Sequence, residues 1–419
     1  MYLKLVLFKA RALGALSRFL GQGNGVMVAG RFILKFAPSA VEKLSKNKRV
    51  VLISGTNGKS TTAKLVAEAL TSRYLSELGI KNASKKVAHN HTGANLFAGV
   101  AAALGAKPDA EVAVLEVDEL VLPWAIEKTN PALIVLLNLG RDQLDRLSEV
   151  RIVSNKWRTA LATHSATNSG KNLKVLASTD DPFVVYAASA AKEQIWFSAQ
   201  DKGHIDAATC PACGALLNWS GDGSNFWCGC GFKKPEANWN LVGETLSNKF
   251  SKEIKVNSSI PGRAALQNAA RAFIVANEFG VDLEAANRAI GAVRAVDGRF
   301  ANKKIGQTNF RLLLSKNPTS WRETLDTSAN GPKEVLLVVN ANTQDGKDTS
   351  WLWDVDFKPL YGRHVLVSGD RRIDVSARLT VEGVKHDVVE NETAAAKVFG
   401  ATDADLIASY TAFHRLANK

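Results

Sequence analysis

The feature that most constrains the fold is a short apolar segment that runs directly into a glycine-containing loop. Residues 50–54 read Val-Val-Leu-Ile-Ser, followed by Gly55-Thr-Asn-Gly-Lys-Ser-Thr61 and a helical pattern over residues 61–78. Glycines let backbone N–H groups turn toward phosphate oxygens, and a helix N-terminus adds positive potential. The order predicts a strand–loop–helix unit that binds nucleotide phosphates, in which Lys59 reaches the β- and γ-phosphates and Ser60 binds Mg²⁺.

Other short, almost wholly apolar segments recur along the chain and alternate with helical stretches. Strands of this kind are buried on both faces, which predicts an α/β fold with a mainly parallel sheet covered by helices. The predicted strands of this sheet are residues 50–54, 111–117, 133–137, 173–177 and 194–197. A second set, sufficient for a smaller α/β domain, comprises residues 311–314, 334–339, 364–367 and 405–409.

A chain of 419 residues is too long for one ordinary core, so we expect more than one domain. The pattern predicts a basic helical segment at 1–48, a central ATP-binding domain at 49–297 and a C-terminal α/β domain at 298–419. Residues 204–238 are rich in Cys, Gly, Asn and Trp, lack helical periodicity and are interpreted as an insertion in the central domain.

The chain is basic, with a formal net charge of +13, which attracts anions. It has no dense Lys/Arg block and no RNA-binding aromatic signature, which argues against a nucleic-acid partner. Basic residues interrupt the apolar N-terminal segment, a pattern unlike a signal peptide or a bilayer-spanning helix. We therefore expect a cytoplasmic protein. Its first helix either packs on its own domain or makes a peripheral contact with anionic lipid at the inner face of the plasma membrane.

Three carboxylates follow the strand predicted at 111–117. Glu116, Asp118 and Glu119 lie at its C-terminal end, and the C-terminal ends of parallel strands gather on the side of the sheet where the phosphate loop lies. Magnesium usually takes one or two carboxylates together with phosphate oxygens and water, so Glu116 is the candidate ligand beside Ser60. The alternative is that these acids are solvated loop charges.

All four cysteines of the chain fall within 21 residues. Cys210-Pro-Ala-Cys213 and Cys228-Gly-Cys230 resemble the two knuckles of a zinc ribbon, and four thiolates form a closed, structural tetrahedral site. The second pair is one residue shorter than the usual C-x-x-C spacing. Two disulfides or free thiols are the alternatives to zinc.

Motifs along nearly the whole chain resemble the Mur ligase family, whose members are ATP-dependent ligases that couple a carboxylate to an amine through an acyl phosphate. Besides the loop at 55–61, they are found at residues 93–95, 115–119, 141–146, 180–182, 316–318, 345–357 and 369–371. The cysteine insertion and the stretch Asp-Gly-Lys-Asp-Thr-Ser-Trp-Leu-Trp-Asp-Val-Asp-Phe at 345–357 resemble one branch in particular, the ligase-like subunit of lipid II isoglutaminyl synthase.

The resemblance implies a fold, an activity and a partner. The fold is a Mur ligase-like central domain with an inserted Cys₄ zinc ribbon and a smaller C-terminal α/β domain. The activity is ATP-dependent amidation of the D-glutamate α-carboxyl of the lipid II stem peptide, with ATP, Mg²⁺ and structural Zn²⁺. If all four cysteines bind zinc, no thiol is left for glutamine hydrolysis, and the implied source of ammonia is a GatD-like glutamine amidotransferase subunit in a heterodimer.

The resemblance also implies site residues. Those implied to bind ATP are Gly55, Thr56, Asn57, Gly58, Lys59, Ser60, Thr61, Asn268, Arg299 and Asn317. The magnesium ligands are Ser60 and Glu116, and the zinc ligands are Cys210, Cys213, Cys228 and Cys230. An acid of the C-terminal domain would orient the partner's catalytic His; Asp348 is the first choice, with Asp354 and Asp356 as alternatives.

Three positions depart from the family pattern. Asp142-Gln-Leu-Asp145 stands where most members have a His in the second place, and Gly298-Arg-Phe-Ala301 retains Arg299 but lacks the usual acid. Lys358 replaces a residue that is usually acidic.

Two other functions stay open at this level. One is a Mur-type ligase that adds an amino acid to a UDP-linked peptide or folate, and the other is a non-catalytic ATP-binding scaffold. The spacing of Trp351 and Trp353 predicts that both face the same side of an extended segment, either in the core or against the partner.

Overall fold

The computed structural model describes residues 2–21, 25–90, 93–140, 150–167, 173–202, 207–248, 251–294, 300–342 and 345–417. The chain forms two compact units. The first comprises Met1–Gly140, Ser148–Ser259 and Ala265–Val293, and the second comprises Arg141–Leu147, Ile260–Ala264 and Arg294–Lys419.

The first unit is built on a nine-stranded sheet. Its strands are β1 (Arg49–Ser54), β2 (Val87–His89), β3 (Val112–Glu116), β4 (Leu133–Leu136), β5 (Lys174–Ser178), β6 (Glu193–Ser198), β9 (Trp239–Val242), β10 (Thr245–Asn248) and β11 (Ser251–Lys255), with β7 (Asn218–Trp219) and β8 (Phe226–Trp227) forming a separate hairpin. The order is β11-β10-β9-β6-β5-β4-β1-β3-β2. All neighbouring strands from β9 to β2 are parallel, and β10 is antiparallel to both of its neighbours, β9 and β11. The predicted parallel sheet is confirmed, and β2 and β9 to β11 were not predicted from the sequence.

Eleven helices belong to the first unit within the described residues. They are α1 (Tyr2–Phe19), α2 (Val26–Phe36), α3 (Ala40–Ser45), α4 (Lys59–Ser72), α5 (Leu75–Ala83), α6 (Phe97–Ala106), α7 (Leu122–Thr129), α8 (Val150–Thr167), α9 (Pro182–Ala188), α10 (Arg263–Glu278) and α11 (Leu283–Gly291). The helix predicted over 61–78 is wrong in extent, because α4 ends at Ser72. The hydroxyls of Thr71 and Ser72 donate to the carbonyls of Ala67 and Ala69, and such bonds compete with helix continuation.

The first two helices pack on the first unit through one face. Val6, Leu7 and Ala10 of α1 and Ile33 of α2 join the core that also contains Leu52 of β1. The tyrosine hydroxyl of α1 donates to the carbonyl of Phe36 at the end of α2 over 2.7 Å. Among the described residues, no helix has both the length and the apolar character needed to cross a membrane.

The strand order places the phosphate loop at a switch point of the sheet. From β1 the chain continues to β2 and β3 on one side and later to β4, β5 and β6 on the other. Parallel pairing sets Ile53 opposite Glu116 and Ser54 opposite Leu136, so the ends of β3 and β4 flank the end of β1. Ligands of open α/β sheets bind in the crevice at such a point, beyond the carboxyl ends of the strands.

The second unit is a smaller α/β domain. Its strands are β12 (Phe300–Ile305), β13 (Thr308–Leu314), β14 (Glu334–Val338), β15 (His364–Ser368), β16 (His386–Val388) and β17 (Asp403–Ala408). Its helices are α12 (Pro318–Ala329), α13 (Arg372–Glu382), α14 (Glu392–Phe399) and α15 (Tyr410–Ala417), with short 3₁₀ helices at Ser350–Asp354 and Lys358–Leu360. The order is β12-β13-β17-β14-β15-β16, antiparallel between β12 and β13 and parallel elsewhere. All four predicted strands are present.

The insertion contains the hairpin of β7 and β8 and a small core of its own. Leu217 and Phe226 are buried with Val185 of α9 and two of the cysteines. Lys234 ties the insertion to the sheet, since its ammonium group lies 2.7 Å from the carboxylate of Asp180 and donates to the carbonyl of Ser224 over 2.7 Å.

Candidate functional site

The loop between β1 and α4 has the backbone conformation that its glycines were expected to provide. Gly55 has φ 144° and Gly58 has φ 86°, both in the region that favours glycine. A Cβ at position 55 would lie 2.8 Å from the Cβ of Leu137, and one at position 58 would lie 2.9 Å from Oδ1 of Asn268. Both positions therefore require glycine, and α4 begins directly after them with its amino end at the loop.

Residues after β4 brace the same loop. The Asn138 side chain accepts from the backbone amide of Asn57 over 2.9 Å and donates to its carbonyl over 3.1 Å. The Thr56 amide donates to the Asn138 carbonyl over 2.9 Å, and the amide of Gly140 donates to the Thr56 hydroxyl over 3.0 Å. Bonds to backbone groups therefore hold both Thr56 and Asn57 in place within the loop.

Lys59 is buried at the start of α4. Its ammonium group donates to the carbonyls of Gly55 and Thr56 over 2.5 and 3.3 Å, and lies 3.1 Å from a carboxylate oxygen of Glu119. The indole of Trp157 donates to the Glu119 carbonyl over 2.8 Å and holds this acid in place. Sequence reasoning grouped Glu119 with the metal-side acids but did not predict its pairing with Lys59.

Glu116 is a buried carboxylate at the end of β3, beside the base of the loop. Asn90, after β2, accepts from its amide over 2.8 Å and donates to its carbonyl over 2.7 Å, and the side-chain amide of Asn95 lies 3.5 Å from its carboxylate. The role of Asn90 was missed in the sequence, which gives no sign that β2 pairs with β3. A buried carboxylate beside a phosphate loop is a donor that suits Mg²⁺.

The other predicted nucleotide-binding residues are placed differently. Asn268 of α10 lies against Gly58, so the phosphate loop is its direct neighbour. Arg299 and the segment 141–146 lie outside the described residues. Asn317 is in the second unit, where it is fully buried and caps α12 by accepting from the amide of Ser320 over 2.9 Å. Its nucleotide role stays a prediction.

The four cysteines converge within the insertion. Their sulfur atoms all lie within 4.8 Å of one another, with 3.5 Å between Cys213 and Cys228 and 3.7 Å between Cys210 and Cys230. A tetrahedral zinc with Zn–S bonds of about 2.3 Å places its sulfurs about 3.8 Å apart. The geometry fits a Cys₄ zinc site, and the shorter C-x-C knuckle does not prevent it. The cysteines are not disulfide-bonded.

The surroundings of the thiols differ. The backbone amide of Ala215 is directed at Cys213 and lowers its pKa to about 7, whereas burial raises the pKa of Cys210 to about 12. A bound zinc ion takes thiolates as ligands, and amides directed at sulfur stabilise that form. Arg151 of α8 donates to the Cys210 carbonyl over 2.9 Å and attaches the knuckle to the first unit.

In the second unit, the three acids considered for the partner's triad are all exposed. Asp348 accepts from the Ser350 amide over 2.8 Å, which lowers the pKa of its carboxyl group. Asp356 accepts from the Lys358 amide over 3.0 Å, and Asp354 lies at the end of the 3₁₀ helix. Asp345, by contrast, is buried and accepts from the amide of Thr411 over 2.7 Å, so it serves the fold.

The prediction that Trp351 and Trp353 face the same side is wrong. The segment Ser350–Asp354 is a 3₁₀ helix and not an extended strand, so residues two apart point in different directions. Trp351 is buried with its ring centroid 6.0 Å from that of Trp321, whereas Trp353 is exposed and stacks with Arg378.

The fold and the phosphate loop define a nucleotide-binding ligase of the Mur type. Residues 53–276, more than half of the chain, match the family model of the Mur ligase middle domain, and the chain therefore belongs to the Mur ligase family. Residues 314–413 match the model of the MurT ligase C-terminal domain, which confirms the branch predicted from the cysteine insertion and residues 345–357.

Curated relatives agree over almost the whole chain. The lipid II isoglutaminyl synthase (glutamine-hydrolyzing) subunit MurT of Staphylococcus aureus is 28% identical over 89% of this chain and 86% of its own length. The subunit of the same name from Streptococcus pneumoniae is 27% identical over 93% of this chain and 91% of its own length.

Solved structures share the fold at low identity. A pseudomurein peptide ligase type C from Methanothermus fervidus aligns with a TM-score of 0.64 at 19% identity, over 86% of this chain and 76% of that one. MurF ligase from Thermotoga maritima in complex with ADP aligns with a TM-score of 0.61 at 16% identity, over 93% of this chain and 83% of that one.

Proposed function

We propose that this chain is the ATP-dependent subunit of an enzyme that amidates the D-glutamate α-carboxyl of the lipid II stem peptide. The observation that carries the proposal is the presence, on one chain, of a folded Mur-type phosphate loop and a MurT-type C-terminal domain. Relatives matched over nearly their whole length carry the name lipid II isoglutaminyl synthase subunit.

The proposed chemistry has two steps. A carboxylate oxygen of the substrate attacks the γ-phosphorus of ATP, and ADP leaves. The nitrogen of ammonia then attacks the carbonyl carbon of the acyl phosphate and loses a proton, and inorganic phosphate leaves. The loop amides near Gly58 and the amino end of α4 would bind the phosphates, and Lys59 would exchange Glu119 for the developing charge on the phosphoryl group. Ser60 and Glu116 would hold Mg²⁺, which neutralises phosphate charge when bound.

Ammonia must come from another chain if the cysteines bind zinc. The sequence contains four cysteines, and all four belong to the cluster that fits zinc. Glutamine hydrolysis by a Cys–His pair needs a reactive thiol. We therefore assign that step to a GatD-like glutaminase partner, with exposed Asp348 as the acid that orients the partner's His.

The test is reconstitution with the glutaminase partner, lipid II, Mg²⁺, ATP and glutamine, followed by ADP release and mass of the stem peptide. We expect one ADP per amide formed. Asp348→Asn should abolish amidation from glutamine and leave amidation from ammonium chloride unchanged, while Asp387→Asn, an exposed acid of β16, should change neither.

Two outcomes would contradict the proposed reaction, and a third would contradict only the role of Asp348. ATP turnover that depends on a free amino acid and not on ammonia would favour the ligase that acts on a UDP-linked peptide or folate. Nucleotide binding without turnover under every condition would favour the scaffold. Equal losses of glutamine- and ammonia-driven activity in the Asp348 variant would remove the triad role and leave the ligase chemistry standing.

A further inference from the structure

The outer face of α1 exposes large apolar side chains to solvent. Leu5 and Leu16 are 50% and 52% exposed, and Phe8 and Phe19 are 70% and 87% exposed. At about 100° per residue, these four lie within an arc of about 80° on one side of the helix. We call Leu5, Phe8, Leu16 and Phe19 the apolar stripe.

The opposite face of α1 is already used by the fold, so the stripe is directed away from the core. Val6, Leu7, Ala10 and Gly14 are buried on that face. The guanidinium of Arg11 donates to the Gly105 carbonyl at the end of α6 over 2.8 Å. A helix anchored in this way presents the stripe as a fixed surface.

Basic residues border the apolar stripe on both sides. By the same helical geometry, Lys4, Arg11 and Arg18 lie along one edge and Lys9 lies along the other. Residues 1–41 contain no Asp or Glu, and their basic residues are Lys4, Lys9, Arg11, Arg18, Arg31 and Lys35. An acidic protein surface could meet the charges, but a stripe of Phe and Leu between two basic edges matches acyl chains between anionic headgroups.

We propose that α1 lies in the plane of an anionic membrane surface, with the apolar stripe inserted among the acyl chains and the basic edges against lipid phosphates. Phenylalanine and leucine on one face with Lys and Arg beside them are the composition of interfacial helices, which bind by buried apolar area and charge together. The inference rests on α1 alone. Docking would also place the protein on the surface that holds the lipid-linked substrate of the proposed function. The enzyme and its substrate would then meet by diffusion in the plane of the membrane.

The experiment measures co-sedimentation of the full chain with vesicles that contain no peptidoglycan precursor, so its outcome does not depend on the proposed reaction. We expect binding to phosphatidylglycerol–phosphatidylcholine vesicles, and much weaker binding to phosphatidylcholine alone. Neutralising Lys4, Lys9 and Arg18 to Gln should weaken the first binding roughly 100-fold, at about fivefold for each charge. Phe8→Ser with Phe19→Ser should weaken it by a similar factor, since each ring loses its burial in lipid.

Two matched controls use the second unit. Ile373→Ser with Val381→Ser removes exposed apolar residues of α13, and Lys333→Gln with Lys385→Gln and Lys397→Gln removes three exposed charges. Both should bind vesicles like the unmodified chain. The proposal is overturned if the unmodified chain does not bind anionic vesicles, or if the Phe8→Ser, Phe19→Ser variant binds them as tightly as the unmodified chain. It is also overturned if the unmodified chain self-associates in solution, the Phe variant does not, and the two bind vesicles equally well, because the apolar stripe would then be a contact between copies of the chain.

The same variants separate this inference from the proposed function. With lipid II in detergent micelles, the Phe variant should amidate at the unmodified rate, and with lipid II in anionic vesicles it should be slower at least tenfold. If the unmodified chain binds vesicles but amidates lipid II in neither setting, the proposed function is wrong and the membrane role of α1 stands. If the Phe variant and the unmodified chain are equally active in micelles and also in vesicles, the result counts against the membrane role of α1.

Discussion

The attachment of the insertion to the first unit depends on the buried pair of Asp180 and Lys234, and Asp180→Asn tests it. The two side chains are 3% and 14% exposed, and their charged atoms are 2.7 Å apart. One carboxylate oxygen also accepts from the Ser198 hydroxyl over 2.8 Å, and the other accepts from the Ala199 amide over 2.7 Å. Every direction around this carboxylate is occupied by a donor.

An Asn side chain cannot reproduce that arrangement. Whichever oxygen becomes an NH₂ group then faces either the ammonium of Lys234 or the amide of Ala199, so a donor meets a donor. The buried cation also loses its counter-charge, which costs about 3–5 kcal/mol in comparable pairs. Lys234→Met removes the cation and leaves the carboxylate with its neutral donors, so we expect a smaller cost of about 1–3 kcal/mol.

The assay is native-state hydrogen exchange, read on peptides that cover β6 and the hairpin of β7 and β8. Because each peptide reports its own region, no assumption about the second unit is needed. Asp180→Asn should lower the opening free energy of both peptides by about 3–5 kcal/mol, and adding Lys234→Met to it should restore part of the loss.

Lys174→Met serves as the matched control. Lys174 also forms a 2.6 Å ion pair, with Glu278, but it is 42% exposed, and exposed pairs contribute about 0–1 kcal/mol. If Asp180→Asn costs no more than this control, or if the double variant shows simple additivity, the reasoning about the buried pair is wrong.

Four further predictions follow from the geometry. The purified chain should contain one zinc per chain by metal analysis, and Cys230→Ser should lower retention of the metal against a chelator; four titratable thiols and no zinc would contradict the assignment. Asp405→Asn should lower the free energy of unfolding of the second unit, measured by urea denaturation, by about 3–5 kcal/mol. The reason is that buried Asp405 pairs with Arg311 at 2.6 Å and accepts from the Ser328 hydroxyl. The control Asp403→Asn changes an exposed acid and should cost under about 1 kcal/mol. Burial lowers the pKa of His164 below its ordinary value of 6.5, so the unfolded chain binds a proton at this side chain more readily than the folded chain does. The contribution of neutral His164 to the stability of the first unit should therefore be complete above about pH 6.5 and decrease below it. A His164→Gln variant with an unchanged pH profile would refute this. Lys59→Ala should reduce ATP turnover at least about 1,000-fold, while Lys64→Ala, in the exposed pair with Glu68, should leave turnover unchanged.

Much of the first unit could be predicted from local pattern. The five predicted strands are present. Four of them, β1, β3, β4 and β5, are almost wholly apolar and buried, and a strand buried on both faces must be apolar throughout, which is visible in a single sequence. The three short strands after the insertion were missed: β10 reads Thr-Leu-Ser-Asn and β11 reads Ser-Lys-Glu-Ile-Lys, and these mostly polar segments are stabilised by pairing with each other and with β9.

In the candidate site, too, some parts could be predicted from the sequence and others could not. The phosphate loop and the cysteine pairs could be identified because their residues are adjacent in sequence and their chemistry depends on short spacing. The partners of those residues could not be identified: Glu119 lies 60 positions from Lys59, and Asn138 lies 81 positions from Asn57. The error at Trp351 and Trp353 arose because a period of two predicts a common face in a strand but not in a 3₁₀ helix.

By itself, the sequence determined the type of fold, the phosphate loop and the composition of the cysteine cluster, since each depends on residues a few positions apart. Tertiary structure alone decided which acid pairs with Lys59, which asparagines hold the loop, and which face of α1 stays outside the core. Those contacts depend on which strands become neighbours and which helix faces are covered. Both are outcomes of packing the whole chain, and no short segment encodes them.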